Sequence, residues 1–397
     1  MTNIPYPAIR LKKGKERSLL QKHPWVFSGA IQSEPSGLKE GDIVQVISHD
    51  QQYLATGHFH KGTITVRCFD FTGSMPDQEL FRRKIKTAAA LRTSIGLPSA
   101  NTDCYRLIHG EGDGFPGLII DVYGNTAVIQ CYTIGMYHLR KEHARILTEE
   151  INGLVAVYDK SAETMSKHGA VSAGDDFLIQ PDNYQPSSFV IENGLKFHVD
   201  FIHGQKTGFF LDQRENRTLL GNYAEGKSVL NTFCYTGGFS LSALRGGATL
   251  VHSVDSSKRA IEGVERNLSL QTFTGQHESF CMDVMTYLKQ SEQHYDVIIL
   301  DPPAYAKHLN QTANAMIGYR NLNTEGLRKI KRGGILFTFS CSQAIDKELF
   351  RKLIFQSALQ AGREVKILHQ LSQPPDHPVS IYHPEAEYLK GLVLYID

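Results

Sequence analysis

The apolar positions of this chain alternate between short unbroken runs and helical spacing, most regularly in its second half. Val229 and Leu230 open a run that continues to Phe233 and reads as a buried parallel strand. Thr236-Gly237-Gly238 breaks it, and Phe239, Leu241 and Leu244 then recur at helical spacing. After Gly246-Gly247 a second apolar, β-branched strand covers 249–254 and ends on Asp255. Further strands are expected over 278–281, 295–300 and 335–340, then a helix over 347–361 and strands over 364–369 and 388–395. Five strand–helix alternations predict an α/β fold with a doubly wound, Rossmann-like sheet over 189–397.

The first 73 residues read instead as a small β domain, with strands over 43–46, 53–59 and 63–71. The single tryptophan, Trp25, is expected to anchor its core. A helix over 79–95 leads into a central α+β region, 74–188, where strands at 118–123, 126–132 and 154–158 surround a helix at 137–151. Glu111 and Asp113 lie in a Gly/Pro-rich turn without the spacing of a calcium loop. Glu192-Asn193-Gly194 predicts a type I′ hairpin, and KTGFFLDQRENR (206–217) follows it.

Composition narrows the classes. Of 397 residues 41% are hydrophobic and 21% charged, enough for two or three cores. No run approaches the roughly 18 apolar residues of a membrane span, and MTNIP lacks a signal-peptide core, so a cytoplasmic protein is expected. The six cysteines are scattered, without CxxC or a Cys/His cluster, which argues for reduced thiols and against a structural metal. The net charge of +1 gives no global sign of nucleic acid. Locally, Arg10, Lys12, Lys13, Lys15, Arg17 and Lys22 face only Glu16, a basic arm suited to phosphates or else a solvated terminus.

Asp255, Asp283 and Asp301 each stand where a strand stops, behind a glycine turn, which is the layout for an adenosine-containing ligand. The turn is not GxGxxG, so a nicotinamide dehydrogenase is disfavoured. Asp301-Pro302-Pro303 makes a rigid shelf that aims a carboxylate at a planar substrate. Cys341, between Ser340 and Ser342, follows the strand beside it; by default a small buried hydrophobe, there it is also a candidate nucleophile.

Asn231-x-Phe-x-x-x-Gly237-Gly-Phe239, Asp255, Asp283, LDPPAYAKH and FTFSCS resemble the motifs of class I S-adenosylmethionine-dependent methyltransferases. With HPWVFSGAI, GEGDGFPGLIIDVYG, KTGFFLDQRENR and DHPVSIYHPEAEYLKG, nearly the whole chain resembles the 23S ribosomal RNA cytosine-C5 methyltransferases that carry an N-terminal PUA domain, a small β-barrel. The resemblance implies that Asp255 binds ribose, Asp283 the adenine amino group, and Asn231, Phe233, Tyr235, Thr236 and Gly237 the methionine part of S-adenosylmethionine. Lys206, Thr207, Phe210, Gln213 and Asp301 would line the same pocket. Cys341 would attack cytosine C6 while Asp301 holds the N3/N4 edge, with Pro302, Pro303 and Tyr305 shaping the base slot. Lys12, Lys13 and Lys15 would touch RNA; ribosomal RNA is the expected partner, and a homodimer the assembly to test. Some RNA cytosine methyltransferases carry a second cysteine after the Pro-Pro; here the position is Ala304-Tyr305. Asp-Pro-Pro-x-Tyr also resembles the motif of exocyclic-amine methyltransferases, in which Cys341 would be a bystander, and a non-catalytic RNA-binding module is the third alternative.

Overall fold

The computed structural model describes residues 6–167, 174–187, 189–305 and 312–397. The chain divides into two compact units. The first comprises 1–190, 199–211 and 375–386; the second comprises 191–198, 212–374 and 387–397.

The N-terminal half-barrel domain of the first unit is built from β1 (Ala8–Leu11), β2 (Trp25–Phe27), β3 (Ile31–Ser33), β4 (Ile43–Ile47), β5 (Tyr53–Phe59) and β6 (Ile64–Asp70), in the order β2-β6-β5-β4-β1-β3. Alternation along β4 turns Val44 and Val46 onto a core with Ile9, Leu11, Val26 and Phe59. Trp25 stands outside that core. It is half-buried, its indole N–H donates to Glu111 Oε1 at 2.8 Å, and its ring lies 5.0 Å from the Arg67 guanidinium and 4.3 Å from the His383 ring. The basic segment is not a free arm either. β1 pairs with β3 and β4, and Lys12, Lys13 and Lys15 are exposed in the loop leading to α1 (Arg17–Leu20).

The central region carries the sheet β11-β10-β9-β8-β7, from β7 (Cys104–His109), β8 (Leu118–Tyr123), β9 (Thr126–Cys131), β10 (Ala156–Asp159) and β11 (Asp176–Ile179). Its helices are α2 (Gln78–Ser94), α3 (Ile134–Glu150) and α4 (Ala162–Ser166). The Asp77 and Thr133 side chains cap the first two by accepting from Leu80 and Met136 backbone N–H groups. The acids of the Gly-rich turn serve ion pairs: Asp113 takes both ends of the buried Arg92 guanidinium, at 2.5 and 2.8 Å, and Glu111 pairs with Arg67 at 3.0 Å.

β12 (Val190–Glu192) and β13 (Leu195–Phe197) form the hairpin, with Asn193 and Gly194 at φ 49° and 77° as a type I′ turn requires. Glu192 holds Arg217 of α5 (Arg214–Gly221) by two buried 2.6 Å hydrogen bonds. The main sheet contains β14 (Ser228–Thr232), β15 (Leu250–Asp255), β16 (Gln276–Cys281), β17 (Tyr295–Leu300), β18 (Ile330–Ser340), β19 (Val365–Leu371) and β20 (Lys390–Ile396). Their order is β16-β15-β14-β17-β18-β20-β19, with β20 alone antiparallel. The connecting helices are α6 (Gly238–Arg245), α7 (Lys258–Ser269), α8 (Val284–Gln290), α9 (Thr312–Lys329) and α10 (Lys347–Ala361). This is the doubly wound sheet expected from the alternation. Neither α8 nor α9 was anticipated, nor was the start of β18 at Ile330, ahead of Gly333-Gly334. No helix of the described residues is long and apolar enough to cross a membrane.

One buried group in α3 makes the first unit acid-sensitive. The His143 ring is fully buried, neither nitrogen has a hydrogen-bond partner, and it packs edge-on against Phe81 and Phe115. Burial drives it down from 6.5 to about 4, and neighbouring His58 down to about 3. Below 6.5 the unfolded chain therefore takes up protons that the folded chain refuses, so stability falls as pH drops towards 4. For His143 alone the loss between pH 7 and pH 5 is about 2 kcal/mol. His143→Leu should shrink the pH 7-to-5 difference in thermal unfolding; an unchanged difference would remove His143 as its cause.

Candidate active site

β14 pairs with β15 on one side and β17 on the other, which makes their carboxyl edge the topological switch point where sheets of this kind bind ligands. The turn after β14 lies in it. Phe233 and Tyr235 have φ of 52° and 47°, and Gly237 of 83°. For non-glycine residues that conformation costs about 1–2 kcal/mol each. It is held by Cys234 N–H on Val254 O (3.1 Å) and Tyr235 N–H on Asp255 Oδ2 (3.0 Å). A side chain at Gly263 of α7 would come within 2.8 Å of Thr236, so its glycine lets the helix pack onto the turn. Asn231 Nδ2 donates to Ser240 Oγ at 2.8 Å, while Asn231 Oδ1 and Thr236 Oγ1 are buried acceptors without a partner.

The three strand-end acids have different surroundings. Asp255 is half-buried and accepts Tyr235 N–H through Oδ2 and Ser257 N–H through Oδ1 at 2.9 Å. Asp283 is exposed and caps α8, its Oδ1 accepting Thr286 N–H at 2.8 Å. Asp301 Oδ2 accepts from Gln213 Nε2 at 2.9 Å, and Gln213 Oε1 in turn accepts from Asn216 Nδ2 at 2.6 Å. Gln213 is buried, and its side chain braces Asp301.

Pro302 is buried and Pro303 exposed. Tyr305 lies against α9, its ring 4.7 Å from that of Tyr319, where a side chain at Gly318 would meet it at 3.0 Å; burial pushes its hydroxyl pKa up. Residues 306–308 of the LDPPAYAKH motif lie outside the described residues. Cys341 is half-exposed directly after β18. Leu300 and Thr338 are register partners, so Asp301 and Cys341 leave neighbouring strands at one edge of the sheet. Ser342 ties this end down, its hydroxyl 2.9 Å from Tyr319 Oη and its carbonyl accepting from Lys390 Nζ at 2.8 Å. The sequence reading passed over Lys390, which stood in a motif as a single cation opening an apolar strand.

Lys206, Thr207 and Phe210 belong to the first unit. Thr207 is buried, its hydroxyl 2.6 Å from Asp121 Oδ2 and 3.1 Å from Tyr123 Oη, so that side chain is committed to β8. Lys206, at φ 50°, holds its ammonium 5.1 Å from the Phe210 ring. Among the described residues one trio, His23, His383 and Glu385, gathers possible metal-ligating atoms within 4.8 Å. His23 Nδ1 accepts the Trp25 N–H at 3.2 Å, which leaves a proton on Nε2 facing Glu385 at 3.4 Å: a hydrogen bond, not a ligand geometry.

The profile of S-adenosylmethionine-dependent methyltransferases matches residues 180–394, and that of PUA-like domains matches residues 9–71. Proteins named ribosomal RNA large subunit methyltransferase I are similar over almost the full length: 37% identical in Shewanella amazonensis (97% of this chain, 98% of the relative) and 36% in Escherichia coli O139:H28 (96% and 97%). The chain belongs to the ribosomal RNA large subunit methyltransferase I family. It is an S-adenosylmethionine-dependent enzyme. Two solved structures share the fold at 24% identity, each covering 98% of this chain and 99% of the other: a Streptococcus mutans protein described as a SAM-dependent methyltransferase (TM-score 0.81) and a methyltransferase complexed with SAH (TM-score 0.82).

The residues of this methyltransferase fit the cofactor. The unpartnered oxygens of Asn231 and Thr236, the open turn at Gly237 and the Asp255 carboxylate suit a ligand with an ammonium group and vicinal hydroxyls. Asp255→Ala is expected to weaken SAH binding by roughly 2–4 kcal/mol in calorimetry, the scale of two charge-assisted hydrogen bonds. Unchanged affinity would mean that Asp255 only braces the turn.

Proposed function

We propose that this enzyme methylates C5 of a cytosine in 23S ribosomal RNA through a covalent bond between Cys341 Sγ and C6 of the base. The observation that carries this reading is a half-exposed thiol on the same sheet edge as Asp301-Pro302-Pro303, one strand away. The names of the relatives support large-subunit ribosomal RNA as the substrate class.

In this reading Asp255 takes the ribose hydroxyls, Asp283 the adenine amino group, and Asn231, Phe233, Tyr235, Thr236 and Gly237 the methionine part. The bound cofactor supplies an electrophilic methyl group. Cys341 attacks C6 as a thiolate, and the electron pair of the C5=C6 bond moves into an enamine that makes C5 nucleophilic. Asp301, with Oδ2 held by Gln213, presents its carboxyl to the N3/N4 edge and orients the ring. Loss of the C5 proton then restores the double bond and expels Cys341. Ala304 stands where a second cysteine would do this, so the proton goes to another group.

The base has to leave its stack, at a cost of a few kcal/mol. Tyr305, fixed against α9, stacks on it, and the exposed Lys12, Lys13 and Lys15 contact phosphates. The location is cytoplasmic, where thiols stay reduced. A homodimer draws support from Phe355 and Leu359, 61% and 68% exposed and one turn apart on α10; sedimentation velocity decides it, and a monomer at working concentration removes it.

Cys341→Ala should abolish methyl transfer while SAH still binds, and RNA with 5-fluorocytosine at the target should trap the wild-type protein, since fluorine cannot leave as a proton. Substantial turnover by the alanine variant would end the covalent reading in favour of an exocyclic amine as acceptor. The β domain should not be deleted to test its role, because its Phe69 belongs to the central core. Changing Lys12, Lys13 and Lys15 together to Gln should instead weaken RNA binding and flatten its log–log salt slope by about 2–3, with SAH affinity unchanged. An unaltered slope would exclude these lysines from the RNA contact.

A further inference from the structure

β20 runs antiparallel to β18 with Lys390 opposite Ser340, so the Lys390 side chain rises beside the strand end that carries Cys341. Its ammonium donates to the carbonyl of Ser342 at 2.8 Å. Lys390 therefore reaches past Cys341, whose two chain neighbours are its cross-strand partner and its hydrogen-bond acceptor. The lysine is only 5% exposed, and among the described residues no carboxylate lies within ion-pairing distance of it. The other charged groups facing it, Asp346 and Lys347 at the start of α10 and Glu387 before β20, act at longer range, and Glu387 is paired with Lys347. A buried ammonium without a carboxylate is costly, and a neutral side chain of the same length would pack there more cheaply. What the position gains is a fixed positive charge beside the one half-exposed thiol of this edge.

We propose that Lys390 is a positioning residue that holds Cys341 as a thiolate by acting as its counter-cation. The inference rests on the covalent reading of Cys341 given above. The thiol proton leaves to water, Lys390 keeps its own proton, and Sγ carries the negative charge that the ammonium offsets. Burial lowers the Lys390 pKa to about 8, with Lys347 adding to the fall, while Cys341, Asp346 and Glu387 oppose it. The ammonium is therefore still protonated near neutral pH and loses its charge just above it, so the pairing is strongest around pH 7.

The test is the pH profile of iodoacetamide alkylation of the full chain, resolved by peptide mass spectrometry, for wild type, Lys390→Met and Lys390→Arg. Exposed Cys281 in the same chain is the internal standard. The wild-type Cys341 midpoint should lie at least one pH unit below that of Cys281. Lys390→Met should raise it by about one unit, making alkylation at pH 7 about tenfold slower, and Lys390→Arg should restore most of the shift. Superimposed wild-type and Lys390→Met profiles would overturn the proposal. So would a wild-type midpoint at or above that of Cys281, a result that needs no variant to fold. Failure of the covalent reading looks different: Cys341→Ala would keep transferring methyl groups whatever the thiol midpoint is.

Discussion

β14 has parallel neighbours on both sides, and its residues alternate between two cores. Leu230 packs with Ile298, Leu300 and Leu336 on one face of the sheet, and Val229 packs with Val297, Ile299 and Phe337 on the other. With both faces taken by apolar packing, polar chemistry has nowhere to go but the strand ends. Asn231, Asp255, Asp283, Asp301 and Cys341 all stand at or just beyond the carboxyl ends of β14 to β18. The local devices of this edge, the left-handed turn after β14, the Gln213 brace and the Ser342 tie, each fix one chain as it leaves the sheet.

Much of this was legible because parallel strands buried on both faces are written as unbroken apolar runs, and because acids and prolines interrupt those runs abruptly. The order of the acids along the chain, the hairpin at Asn193-Gly194 and the bounds of α10 could all be read in this way. α9 could not be read so easily. Its buried positions Ala315, Tyr319, Leu322 and Leu327 are separated by polar residues and by Gly318 and Gly326, which dilute the helical period. β18 starts early because Gly333-Gly334 sits within a register shift of the β17–β18 pairing rather than before the strand.

Side-chain partnerships were less legible than elements. Thr207 and Gln213 sit in one short motif, yet Thr207 answers Asp121, 86 residues away, and Gln213 answers Asp301, 88 residues away. Nothing within the motif distinguishes them. Trp25 shows the same limit: its size suggested a core, but its indole N–H needs an acceptor and finds Glu111. Lys390 was hidden by its own surroundings, since a lysine opening an apolar strand looks like an edge charge until the strand is paired on both sides.

The turn after β14 also sets a ceiling on how far this protein can be improved as a material. Phe233 and Tyr235 occupy backbone conformations that favour glycine, and the bonds to Val254 and Asp255 keep them there. A selection for heat resistance alone would find glycine at either position attractive, because it relieves the strain at a stroke. The relaxed loop would then sample many shapes instead of one. Durability gained there would come out of the rigidity with which the enzyme meets its methyl donor, so a hardened variant is better sought in the solvent-facing helices than in this turn.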